Sequence, residues 1–247
     1  MRATLADASL ARYAGRFVWL ELDFDRPANQ SFLLRHHVTY TPSFFILDPA
    51  DERATATQLG GMTLPELGGF LERGERGVTA KAMTPAGAAL ARGDALLGRG
   101  KTAEAATAFH DALRLGGRTW PERERALGSL TWALMSSSQW QACAETASSE
   151  APRMKREQMF GRVVLSGLSC VNQGGSTSWT EPARRTLSPL AAEAIALPAT
   201  LRDHRFQLYQ QLMWAAERRG DRATVGRWGR GWLDELDATR PANDDEV

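Results

Sequence analysis

Residues 17–49 read FVWLELDFDRPANQSFLLRHHVTYTPSFFILDP, and the fold turns on this stretch. An apolar run, 17–22, is closed by Asp23-Phe24-Asp25. A polar connection containing Pro27, Ala28 and Asn29 follows, then Val38-Thr39-Tyr40-Thr41-Pro42. A second apolar run, 43–47, ends at Asp48-Pro49. Short apolar runs bounded by turn residues predict strands, while Phe32 and Leu33 give the connection an inward side and predict a helix over about 29–36. On the residues alone, a strand–helix–strand unit of this kind favours two buried, parallel strands in one sheet.

Outward from that unit, residues 4–13 predict a short helix with Leu5, Leu10 and Tyr13 inward. Asp7 or Ser9 is placed to cap it, and Gly15 ends it. Downstream, residues 54–59 predict a weaker, antiparallel edge strand broken by Gly60-Gly61. Thr63, Pro65 and Glu66 open a helix carrying Leu67, Phe70 and Leu71. Residues 74–84 read as linker. From Pro85 the apolar period becomes helical and stays so, predicting helices over 86–97, 102–115, 122–135, 140–148, 155–170, 181–194, 201–218 and 222–236. Pro189 is expected to kink or split the sixth. The organisation is an α/β unit (1–75), a linker (76–84), an all-α array of helical hairpins (85–240) and an acidic tail (241–247).

Composition narrows the function classes. Thirty Lys+Arg against 29 Asp+Glu leave a net charge of +1, so no global field points to nucleic acid or a membrane surface. The two cysteines, Cys143 and Cys170, suit neither a disulfide framework nor a zinc set, and no pair has CxxC spacing. A buried structural thiol is the expectation for each; a pair between them is possible in space but has no sequence support. No apolar run resembles a signal peptide or a membrane span, so a cytoplasmic protein is expected. Asp23 and Asp25 read as turn or cap residues, His36-His37 as a solvated helix end, and His110 and His204 as ordinary helical histidines. No metal, cofactor or catalytic residue is predicted.

Residues 17–71 resemble the later part of a thioredoxin-like domain. The features are an apolar strand ending at Asp23, a helix with Asn29 and Leu33, a Val38…Thr41-Pro42 segment before a strand, an edge strand ending at Gly60, and a closing helix. The resemblance implies that the strand after Pro42 runs antiparallel to the earlier ones. It also implies that Thr41-Pro42 is a cis-proline motif, with Thr41 and Pro42 binding a peptide or substrate. The family's CxxC and its central strand have no counterpart here. Two expectations follow: a first segment missing from the chain, or a degenerate domain whose remaining strands pair directly or with another chain.

Residues 86–119 resemble a tetratricopeptide repeat, through Ala89, Gly93, Leu96-Leu97, Gly100, Ala105, Phe109 and Ala112. Gly93 and Ala105 are placed for close helix approach, with Phe109 and Leu97 filling the wedge to the next pair. A weaker unit covers 122–151, and a generic helical bundle remains the alternative. Such arrays bind proteins or peptides. Arg92, Lys101 and Arg114 are candidates for a carboxylate clamp. Trp132, Trp140, Trp214, Trp228 and Trp232 suit packing between helical layers.

Two functions are therefore expected. The first is a non-catalytic protein that mediates protein–protein interaction, with its partner bound through the helical array. The alternative is a thiol–disulfide oxidoreductase whose CxxC segment is missing.

Overall fold

The computed structural model describes residues 5–36, 38, 41–79 and 84–238. They fall into two compact units, Met1–Ser138 and Gln139–Val247.

In the first unit, the Asp7 carboxylate accepts from the Ser9 amide and opens a 3-10 helix, Ala8–Tyr13. Tyr13 is the anchor. It is buried, its hydroxyl lies 3.4 Å from the Gly68 carbonyl, and the Arg12 and Arg16 guanidiniums stack over its ring. Leu10 packs against the same core, whereas Leu5, expected inward, is exposed. Helix α1 (Gln30–Arg35) buries Leu33.

Strand β1 (Ser43–Leu47) pairs antiparallel with β2 (Ala54–Leu59), Phe44 opposite Gln58 and Ile46 opposite Ala56. Among the described residues the sheet has these two strands and no third. The partner expected at 17–22, parallel on the residues alone and antiparallel by the resemblance, is not in it. That run leaves the core at Phe17 and continues without strand pairing, with Val18 89% and Leu20 80% exposed. The physical reason is in the run itself. Its consecutive apolar residues suit a strand covered on both faces, and nothing among the described residues covers Val18 or Leu20.

Helix α2 (Leu64–Thr79) opens on a capping box, with the Glu66 carboxylate accepting from the Thr63 amide at 2.7 Å. It runs two turns beyond the predicted end and absorbs the start of the expected linker; residues 80–83 lie outside the described residues. The glycines that suggested a linker are contact points. A Cβ on Gly74 would lie 2.2 Å from Ile46, and one on Gly77 would lie 2.9 Å from Thr55. Tyr13, Ile46, Ala56, Met62, Leu67, Phe70 and Leu71 form the core beneath.

Helices α3 (Pro85–Gly98), α4 (Thr102–Gly116) and α5 (Arg123–Ser136) complete this unit. Thr84 caps α3 by accepting from the Gly87 amide. Helices α3 and α4 approach through Gly93, where a Cβ would lie 2.5 Å from the fully buried Phe109 ring. Gly100 makes the turn between them at φ +69°.

The second unit contains α6 (Trp140–Glu150), a 3-10 turn (Ala151–Arg153), α7 (Gln158–Gln173), α8 (Thr180–Ala196), α9 (Arg202–Glu217) and α10 (Arg222–Ala238). Helix α7 packs against α6, α8 and α9 and supplies Phe160, Val163, Val164 and Leu168, all fully buried. Pro189 sits inside α8 without splitting it. The Asn172 side chain donates to the Gln211 carbonyl at 3.0 Å, joining α7 to α9. Cys143 and Cys170 are buried as expected, but they are not separate thiols: they form a disulfide between α6 and α7. The expected tail, 241–247, lies outside the described residues. No helix among them is long and apolar enough to cross a membrane.

Candidate functional site

The geometry that offers most to a partner is the side of β1 turned away from β2. The Thr41–Pro42 peptide bond is cis, the isomer implied by the resemblance, and both residues are exposed where the chain enters the strand. The Pro42 carbonyl accepts from the Gly60 amide at 2.9 Å, which pins this entry to the end of β2. From that bond the ladder alternates. Phe44 and Ile46 face β2 with their backbone groups, and Phe45 and Leu47 turn theirs to the other side. Among the described residues no strand lies on that side.

The same unit carries an exposed apolar segment. Phe17 and Phe44 pack against the same core cluster. Beyond Phe17 stand Val18, Trp19, Leu20, Leu22 and Phe24, each 40% exposed or more. The segment ends in a turn as the sequence suggested. The Asp23 carboxylate accepts from the Asp25 amide, and the Asn29 side chain donates to the Asp23 carbonyl at 2.8 Å. Asp23 and Asp25 are thus turn residues on the surface.

Other candidates resolve differently. His36 is not a solvated end: its ring lies 4.4 Å from Phe32 and 5.5 Å from Phe45, centroid to centroid. His37 lies outside the described residues. His110 is exposed. His204 is largely buried beside Arg162, and burial first, then that charge, holds its imidazole down to about 3. Arg92 and Arg114 both reach Asp111, and Lys101 pairs with Glu104, so the three proposed clamp residues are engaged by local carboxylates. The named tryptophans are half-buried. Among the described residues, no three His, Cys, Asp or Glu side chains are grouped to hold a metal ion.

One charged cluster was not anticipated. Arg125 of α5 donates to Asp94 of α3 at 2.7 Å, both buried. Burial pushes the Asp94 carboxyl up, opposed by Arg125. Arg73 of α2 stands alongside, lowered to about 10 by burial and then by Arg125, and Glu122 lies 3.9 Å from Arg73 and from Arg76. Among the described residues the Nε and Nη1 of Arg125 have no hydrogen-bond partner. A hint was available: Asp94 and Arg125 sit four or fewer residues from buried apolar positions on their helices, but period alone does not set the rotation that buries them.

Compared with known proteins, the chain matches no family model, no curated protein and no solved structure.

Proposed function

We propose that this chain is a non-catalytic interaction protein, a thioredoxin-like remnant joined to tetratricopeptide-like hairpins. We propose further that its α/β unit binds an extended segment of a partner protein. The observation that carries this reading is that one unit holds both a strand, β1, with no strand beyond it on its outer side among the described residues, and the exposed apolar run beyond Phe17. An extended peptide is the ligand that supplies alternating donors and acceptors to a strand edge and apolar side chains to an uncovered run. Thr41 and Pro42 stand at the entry to that edge and would align the incoming strand.

The test is selection of peptides from a displayed library against the full chain, followed by titration of a selected peptide. Val18→Asp with Leu20→Asp is expected to weaken binding at least tenfold. These side chains are exposed, so helical circular dichroism and the melting temperature should hold. Equal binding by the variant, or selection of no extended peptide, would contradict the proposal.

Against a catalytic role, the two cysteines are bonded to each other and buried, and disulfide exchange needs an accessible thiolate. Purified protein is expected to show no insulin reduction. Turnover above a Cys143→Ala/Cys170→Ala control would overturn the non-catalytic reading.

A further inference from the structure

Cys143 and Cys170 are separated by 27 residues in sequence, and the bond between them joins α6 to α7 with a Cα separation of 6.2 Å. That separation lies within the ordinary disulfide range. Neither residue has any exposed surface. The helices also meet tightly here: a Cβ on Gly167 of α7 would lie 2.3 Å from that of Ala147 on α6. The sulfurs are therefore walled in by packed helix, with no line of approach for an outside thiolate.

We propose that Cys143 and Cys170 are a site of oxidative modification, closed into a structural crosslink while the chain folds, and that the protein matures in an oxidising compartment. This is independent of the peptide-binding reading, and it departs from the cytoplasmic expectation, because the cytosolic thiol pool keeps such pairs reduced. An exchange-active or regulatory disulfide needs access to a sulfur, and this one has none.

The chemistry is complete with one co-reactant, a disulfide donor, either a protein or a small molecule. On the open chain, one cysteine thiolate attacks a donor sulfur. A mixed disulfide forms and one donor thiolate leaves. The second cysteine thiolate then attacks the first cysteine's sulfur, forming the Cys143–Cys170 bond and releasing the second donor thiolate. The two cysteines lose two protons and two electrons, and the donor disulfide is reduced to its two thiols.

The reduced chain still has a place for the thiol. Cys143 Sγ lies 3.4 Å from the Ser166 carbonyl, an acceptor for a thiol proton. The bond adds its stability by constraining the unfolded chain. For a loop closed over a separation of 27 residues, its loss should raise the unfolding equilibrium constant roughly 10²–10³-fold.

The experiment is acid-trapping of cells that natively make the protein, unfolding, and tagging of free thiols with a maleimide mass label before and after reduction. No tag before reduction and two tags after it are expected. Two tags before reduction would overturn the proposal. In parallel, denaturant melts of the full chain are recorded with and without reductant. Reductant should leave the folded protein oxidised and lower the midpoint only where the chain unfolds, with no effect on Cys143→Ala/Cys170→Ala. Reduction of the folded protein as fast as of the unfolded chain would show that the bond is accessible, contradicting a sealed crosslink.

Discussion

Asp94 and Arg125 place opposite charges 2.7 Å apart inside the first unit, with Arg73 beside them. Removing one partner strands the other, whereas removing both removes the charges that needed solvating. Asp94→Ala is expected to cost about 3–5 kcal/mol in urea melts, and Asp94→Leu with Arg125→Met considerably less. Equal losses would show that the pair is not coupled. His204 supplies a second test. Its folded-state value near 3 lies below the ordinary histidine value of about 6.5, so the unfolded chain takes the proton first. The contribution is fully present above about pH 6.5 and is lost as pH falls towards 3, by about 1.4 kcal/mol per pH unit. The difference in stability between the parent and His204→Gln should show that slope; a flat difference would place His204 in water. The burial of Asp94, Arg125 and His204 could not be read from sequence, because a single charged residue on a helix reveals its burial only when neighbouring helices fix the rotation. Asp7 and Thr63, by contrast, were legible as caps because a cap's partners lie two or three residues away.

At the scale of elements, the glycines discriminate. Gly74→Ala would drive a Cβ into Ile46, and Gly93→Ala into the Phe109 ring. Each is expected to cost about 1–3 kcal/mol by overpacking. Gly229 in α10 meets only the Met213 terminal methyl, at 3.8 Å, so Gly229→Ala should gain about 0.4–1 kcal/mol from reduced chain entropy. Thermal melts of the three variants check the sign; a neutral Gly74→Ala would mean that α2 does not rest on β1 as described. The helices were legible because each carries its own apolar period and turn residues. The failure of 17–22 to form a strand was not, because a strand exists only with a neighbour. An apolar run therefore reads the same whether or not a partner is present. Gly74 and Gly77 misled for a related reason: in isolation they weaken a helix, and here they let it lie close to the sheet.

For the molecule as a whole, the order of an α/β piece followed by helical hairpins was visible in the change of period at Pro85. The disulfide was not, since a 27-residue separation becomes a contact only when α6 and α7 fold back on each other. The exposed hydrophobic run and the one-sided β1 together make the case for a protein partner. That case rests on the run being unpaired in the free chain. The direct measurement is amide hydrogen exchange of the isolated protein. Amides of residues 18–24 are expected to exchange at close to the unfolded rate, while those of α2 to α5 are protected. Slow exchange across 18–24 would mean that the run is already paired, and the vacant site would not exist.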